Sequence, residues 1–337
     1  MQKQVKFNYL WLAILGLGLS AQALAEPNQR HYLALSQEQG QILWLQTGAS
    51  PSINTFNGQT GALEKSVDLT IKPEQLIMGF TPDGFKLALL EAAGLSILHR
   101  TGKTLRTLQV PNLPKPASSY QPAMAITNAS GTAQVFYAAQ TQQLHVIHTG
   151  NGKELATVEL PKAHLLALGL DANMNKLAFV TQGKVGKADL QVYDLFKKTT
   201  VKTYEIQAPA AFSQPVVFSQ DGRYVALLPQ VINLQTEAVF NVKGASGSAV
   251  FTANNEALLF ASKQGLQRLD LSTQQSQPLA LNLPANCRTI VADDISADQQ
   301  RLAFASLCSN DPQTLAVVSF LDAHTGQWQR NVNLAKP

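Results

Sequence analysis

The chain has 337 residues, is 45% hydrophobic and 14% charged, and carries a formal net charge of +4. No basic run exceeds Lys197-Lys198, so the charge does not form the clustered basic face that nucleic acid requires. The length exceeds what one compact core comfortably takes, which favours small units stacked side by side.

The first 25 residues read as an export leader. Lys3 and Lys6 give a positive start, Leu10 to Leu19 is a short apolar stretch, and Ala23 and Ala25 supply the small residues at −3 and −1 of a cleavage site. The stretch is too short for a membrane-spanning helix, which needs about 20 residues; a retained anchor is the alternative. Both leader charges are lysines, so the mature chain from Glu26 carries 24 basic against 22 acidic residues. A mature, soluble protein in a bacterial periplasm is the expectation, with no transmembrane segment left after cleavage.

The rest of the chain repeats. Seven times an apolar run ends in a large hydrophobic residue followed by Ser, Thr or Asp: Leu35-Ser36, Phe80-Thr81, Ile126-Thr127, Leu170-Asp171, Phe218-Ser219, Phe251-Thr252 and Ile295-Ser296. The spacings are 45, 46, 44, 48, 33 and 44 residues, the period of a four-stranded propeller blade. Each pair leads into a turn, clearest at Thr81-Pro-Asp-Gly84 and Ser219-Gln-Asp-Gly222, where Gly accepts positive φ and Asp caps. A second apolar strand follows, nearly identical at Lys86-Leu-Ala-Leu89, Lys176-Leu-Ala-Phe179 and Arg301-Leu-Ala-Phe304. Being apolar on both faces, these strands are expected between neighbouring sheets. A third strand runs into Thr-Gly at Thr60-Gly61, Thr101-Gly102, Thr149-Gly150 and Thr325-Gly326, and a polar fourth strand closes each unit. The expected fold is therefore all-β, a seven-bladed β-propeller of four-stranded antiparallel blades. It forms a single domain over residues 26–337, with blades near 31–69, 76–110, 122–160, 164–206, 214–243, 247–281 and 289–334. An open β-sandwich is the runner-up, but it would not need seven similar units.

The phrase "apolar strand, Ser/Thr-x-Asp-Gly, Lys/Arg-apolar strand, Asp-x-x-Thr-Gly" resembles the blades of YVTN-type and quinoprotein-amine-dehydrogenase-like propellers. The resemblance covers residues 31–334. It implies the architecture of an exported bacterial member, and a superfamily that mixes lactonases, dehydrogenase subunits, electron-transfer partners and non-catalytic binders.

Cys287 and Cys308 are expected to form a disulfide in an oxidising compartment, facing each other across the open end of the first hairpin of blade 7 at about 5.5 Å between Cα atoms. Two buried thiols are the other reading. Because blades 1 and 7 each contribute all four strands, no borrowed strand closes the ring, and this disulfide is the substitute the sequence offers.

Candidate site residues gather where inter-blade links and loops between second and third strands meet the channel mouth. Asp293 and Asp294 occupy positions that other blades fill with Met78-Gly79, Leu168-Gly169, Val216-Val217 and Ala249-Val250, and two carboxylates there need pairing, hydrogen bonds or a cation. Arg288, His164 and Tyr120 lie in links and complete the candidate ligand-binding set; Arg301 and channel water are the plainer partners of the two carboxylates. His145 and His148, three apart on a strand, point to opposite faces and do not make a metal pair. A quinone-cofactor propeller would repeat a tryptophan after each Thr-Gly; only Trp328 follows one. No catalytic residue stands out and no cofactor is expected, a channel cation such as calcium being the one candidate. The leading reading is a monomeric, non-catalytic periplasmic scaffold that binds an envelope protein or polymer. A lactonase-like hydrolase with a channel cation and a non-catalytic dehydrogenase subunit are the alternatives.

Overall fold

The computed structural model describes residues 31–36, 40–47, 50–71, 76–80, 86–91, 94–109, 125–127, 132–138, 141–161, 163–208, 215–287, 289–295 and 300–337. They form seven four-stranded antiparallel sheets. Blade 1 comprises β1 (His31–Ser36), β2 (Gln41–Gln46), β3 (Ser52–Asn57) and β4 (Leu63–Asp68). Blade 2 comprises β5 (Leu76–Phe80), β6 (Lys86–Glu91), β7 (Gly94–His99) and β8 (Thr104–Gln109). Blade 3 has β9 (Ala125–Thr127), β10 (Ala133–Ala138), β11 (Gln143–His148) and β12 (Glu154–Glu159). In blade 4 the strands are β13 (Leu165–Leu170), β14 (Lys176–Gln182), β15 (Lys187–Asp194) and β16 (Thr199–Gln207). Blade 5, the shortest, has β17 (Val217–Phe218), β18 (Tyr224–Leu227), β19 (Gln230–Asn233) and β20 (Val239–Asn241). Blade 6 follows with β21 (Ala245–Phe251), β22 (Ala257–Ser262), β23 (Gly265–Asp270) and β24 (Ser276–Pro278). Blade 7 ends the fold with β25 (Thr289–Ile295), β26 (Arg301–Leu307), β27 (Thr314–Asp322) and β28 (Trp328–Ala335).

The hydrophobic member of each repeated pair sits at the inner end of a blade, on β1, β5, β9, β13, β17, β21 or β25. These seven strands approach one another in cyclic order, and β25 returns to β1. The protein is a seven-bladed β-propeller. Among the described residues no helix is long and apolar enough to cross a membrane.

Side-chain alternation explains why the sheets stack. Along β1 and β2, Leu33, Leu35, Ile42 and Trp44 face blade 7, whereas Ala34, Leu43 and Leu45 join a cluster with Leu98 of blade 2. Further clusters join blades 3 and 4, 4 and 5, 5 and 6, and 6 and 7 in the same way. The outer strands are polar. In β16 seven of nine residues are exposed, which suits an edge that faces water and must not template pairing.

Hydrogen bonds at the turns account for the polar members of the repeat. Asp171 Oδ1 accepts from the backbone N–H of Asn175 and Lys176, Ser219 Oγ from that of Tyr224, and Thr252 Oγ1 from that of Ala257. Burial holds the Asp171 carboxyl above the usual carboxylate range despite these bonds. The third-to-fourth-strand turn is capped in all seven blades by the residue that ends the third strand. Asn57, Asp194, Asn233, Asp270 and Asp322 accept through Oδ1 from the N–H groups two and three residues on. His99 and His148 accept through Nδ1 from Thr101 and Gly150. The Asp270 carboxyl is held down to about 2, first by the Ser272 hydroxyl and then by the Thr273 N–H. Gly61 and Gly326 take left-handed φ of 72° and 70° in these turns. Gly152 does the same in blade 3, at 71°.

Closure of the ring lies between blades 7 and 1. Trp44, Phe56, Ile42, Leu33 and Leu35 share one core with Val318, Phe320, Val332, Leu334 and the small Ala303, Ala305 and Ala316. Trp44 is the bulkiest fully buried side chain, at 0% exposure. Backbone approach is close: Ala335 N–H donates to Gly61 O at 3.1 Å, and a Cβ on Gly61 would lie 1.8 Å from Asn333 O. Trp44→Ala is expected to lower the unfolding free energy by about 3–5 kcal/mol, read from equilibrium urea denaturation.

His31 stands at the edge of the same seam, its ring 5.0 Å from that of Trp44. Burial lowers its pKa to about 4. Its folded pKa lies below the unfolded value, so its stabilising contribution is full above about 6.5 and is lost as pH falls toward 4. The His31 contribution to the unfolding free energy, measured by denaturation between those limits, should therefore decline by at most about 1.4 kcal/mol per pH unit, and His31→Phe should flatten that part of the curve.

Candidate functional site

The disulfide organises one stretch of the mouth face. Cys287 and Cys308 are bonded, with Cα atoms 4.0 Å apart, nearer than the expected separation. The ladder of β25 and β26 pairs Asp294 with Ala303 and Thr289 with Leu307, and it shifts between Ile290 and Ala292. The bulge at Val291 moves the pairing by one residue, and the cysteines lie just past the last rung rather than on one. Ser309 N–H donates to Asn286 O at 2.8 Å, its hydroxyl donates to the same carbonyl at 3.2 Å, and Asn286 Nδ2 donates to Ser309 O at 3.3 Å. Asp311 folds the loop back by accepting from Gln313 and Thr314 N–H, and these bonds, Thr314's first, hold its carboxyl below the usual range. The disulfide lies wholly within blade 7 and its preceding link, so it stiffens the lip of the mouth, while apolar packing closes the ring.

The other candidate residues are distributed as follows. Asp293 and Asp294 lie on β25 opposite Phe304 and Ala303; their side chains are outside what the structure describes. The equivalent ladder positions in blade 1, Leu33 and Ala34 opposite Trp44 and Leu43, are buried, as is Leu168 opposite Phe179 in blade 4. The two carboxylates thus occupy rungs that other blades use for inter-blade packing. His164 precedes β13 and is exposed, and its carbonyl accepts from Gln182 N–H at 2.8 Å. It belongs to blade 4, with blades 5 and 6 between it and blade 7. Arg288 and Tyr120 lie outside the described residues.

The β14–β15 loop projects from the same face. Val185 at its tip is fully exposed between Lys184 and Lys187, and Lys187 pairs with Glu205 at 3.0 Å. Within blade 3, His145 is buried, stacked on Phe136, with Nδ1 2.5 Å from Glu154 Oε1. That carboxylate also accepts from the Thr157 hydroxyl at 2.7 Å. Among the described residues no group of three or more His, Cys, Asp or Glu side chains is placed to hold a metal ion.

No family model matches the chain, and no curated protein matches it either. Among solved structures, hydrazine synthase of Kuenenia stuttgartiensis is similar over 90% of this chain and 99% of that one, with a TM-score of 0.55 and 12% identity. The likeness is one of fold. A propeller is a scaffold shared by unrelated activities, so the similarity supports the seven-bladed architecture and leaves function to the chain's own residues.

Sequence reading missed two features of this chain. His99 and His148 serve as turn caps, which the matching positions of Asn57 and Asp322 signal once the third strands are aligned. Arg301 and Arg330 line a cavity with Ser36, and nothing local in the sequence brings positions 36, 301 and 330 together.

Replacing both cysteines by serine is expected to cost about 3 kcal/mol through the freed loop, with the far-ultraviolet circular dichroism of the seven sheets unchanged. A larger loss accompanied by altered β signal would mean that the bond also holds the ring.

Proposed function

We propose that the chain is an exported member of the YVTN-like propellers that acts as a monomeric, non-catalytic scaffold in the bacterial periplasm, binding an envelope protein or polymer. The observation that carries this reading is how its polar side chains are used. The aspartates, asparagines and histidines that end the third strands are spent on capping turns, while the mouth face carries a disulfide-tied lip on blade 7 and a loop with an exposed apolar tip on blade 4. A rigid rim with a solvent-facing valine between lysines suits contact with a macromolecule better than a reaction centre. The leader pattern and the disulfide support export.

Pull-down from envelope extract tests the reading. Val185→Asp should recover less partner than the wild-type chain; equal recovery by both would count against the proposal.

A second reading rests on Asp293 and Asp294, whose rungs are apolar or small elsewhere in the ring. A calcium ion at the channel would relieve two such carboxylates, as the lactonase-like alternative requires. On that reading calcium raises the melting temperature and Asp293→Ala removes the rise. No bound cation and no shift would eliminate it.

A further inference from the structure

Blade 1 departs from the repeat at its first turn. Asp171, Ser219 and Thr252 each accept from the backbone N–H five residues on, at 2.9, 2.8 and 3.0 Å. Ser36 is the corresponding residue of blade 1 and is 3% exposed, yet among the described residues its buried hydroxyl has no hydrogen-bond partner. It lines a cavity of about 100 Å³ at the seam between blades 7 and 1, together with Gln41, Gly58, Arg301 and Arg330.

The surroundings are cationic. Arg330 lies over the Phe320 ring at 4.7 Å and donates one N–H to Gly58 O at 2.9 Å. A guanidinium has five N–H donors, so others remain for a ligand. Arg301 supplies a second guanidinium to the wall while also engaged elsewhere in the protein. Arg100 donates to Gln41 Oε1 at 2.6 Å, and the Glu64 carboxylate beside it accepts from the Gln41 and Asn57 amides.

We propose that this cavity binds a small oxyanion, a carboxylate or phosphate group, between the Ser36 hydroxyl and the Arg330 and Arg301 guanidinium groups. Guanidinium forks match the oxygen spacing of both groups. The volume exceeds the ~10–15 Å³ that one water needs and falls below the ~300–1,000 Å³ of a drug-sized pocket, so it fits a charged head group rather than a whole substrate. A buried hydroxyl without a partner is destabilising, and an oxyanion there would accept its proton. The site is independent of the scaffold reading, which concerns the opposite face.

The test titrates the full mature chain with sodium phosphate and, separately, sodium acetate, against sodium chloride at matched ionic strength, by calorimetry and thermal unfolding. One oxyanion per chain is expected, with a Kd of about 1 mM or tighter and a rise in melting temperature beyond the chloride control. Ser36→Ala and Arg301→Gln should each weaken binding at least about tenfold, and Ser36→Ala without ligand should melt no lower than the wild type. A response to phosphate alone, or to acetate alone, identifies which oxyanion the site takes. Failure of both to bind, or unchanged affinity in Ser36→Ala, overturns the proposal. Because Arg301 has other interactions, Ser36→Ala decides if Arg301→Gln does not fold.

Discussion

The structure depends on the burial of each blade's two flanks against its neighbours. A four-stranded sheet with apolar residues on both faces, such as β2 with Ile42 and Trp44 on one side and Leu43 and Leu45 on the other, is insoluble alone. Stacking such sheets buries both faces but leaves two bare flanks at the ends of the row. Bending the row until its ends meet removes them. The bulky Trp44 and Phe56 of blade 1 and the alanines of blade 7 are the two sides of that last contact.

Closure by packing also explains the division of labour among polar residues. Apolar side chains hold blade to blade, whereas Asx-type, histidine and hydroxyl caps hold strand to strand at the turns. This leaves the loops between second and third strands free to vary, and that is where the disulfide-tied lip and the exposed tip at Val185 occur. The opposite face is stitched across seams, by Lys176 Nζ to Gly222 O at 2.9 Å and Gln220 N–H to Asn255 Oδ1 at 2.7 Å. The polar niche at Ser36 lies on that stitched face.

Much of this fold is legible in the chain because each blade repeats the same local requirements. The large hydrophobic that ends an inner strand recurs in all seven blades, and at Asp171, Ser219 and Thr252 the residue after it closes the next turn, so Leu170-Asp171 and Phe251-Thr252 announce themselves. The cysteine pairing was legible through hairpin geometry, although the two cysteines lie just past the last rung of the ladder instead of on one. The site was harder still. Ser36, Arg301 and Arg330 converge only because the first and last blades meet, a contact that no local pattern encodes. His164, singled out by its place in a link, is exposed just before β13.

Hydrogen exchange of the native protein tests most directly whether the packed seam between blades 7 and 1 closes the ring. Amides of β2 and β26, which flank the closing seam, should exchange as slowly as those of β14 and β22 in the middle of the ring. Markedly faster exchange confined to β2 and β26, with β14 and β22 still protected, would show that the ring opens between blades 7 and 1 and would contradict closure by this packed core.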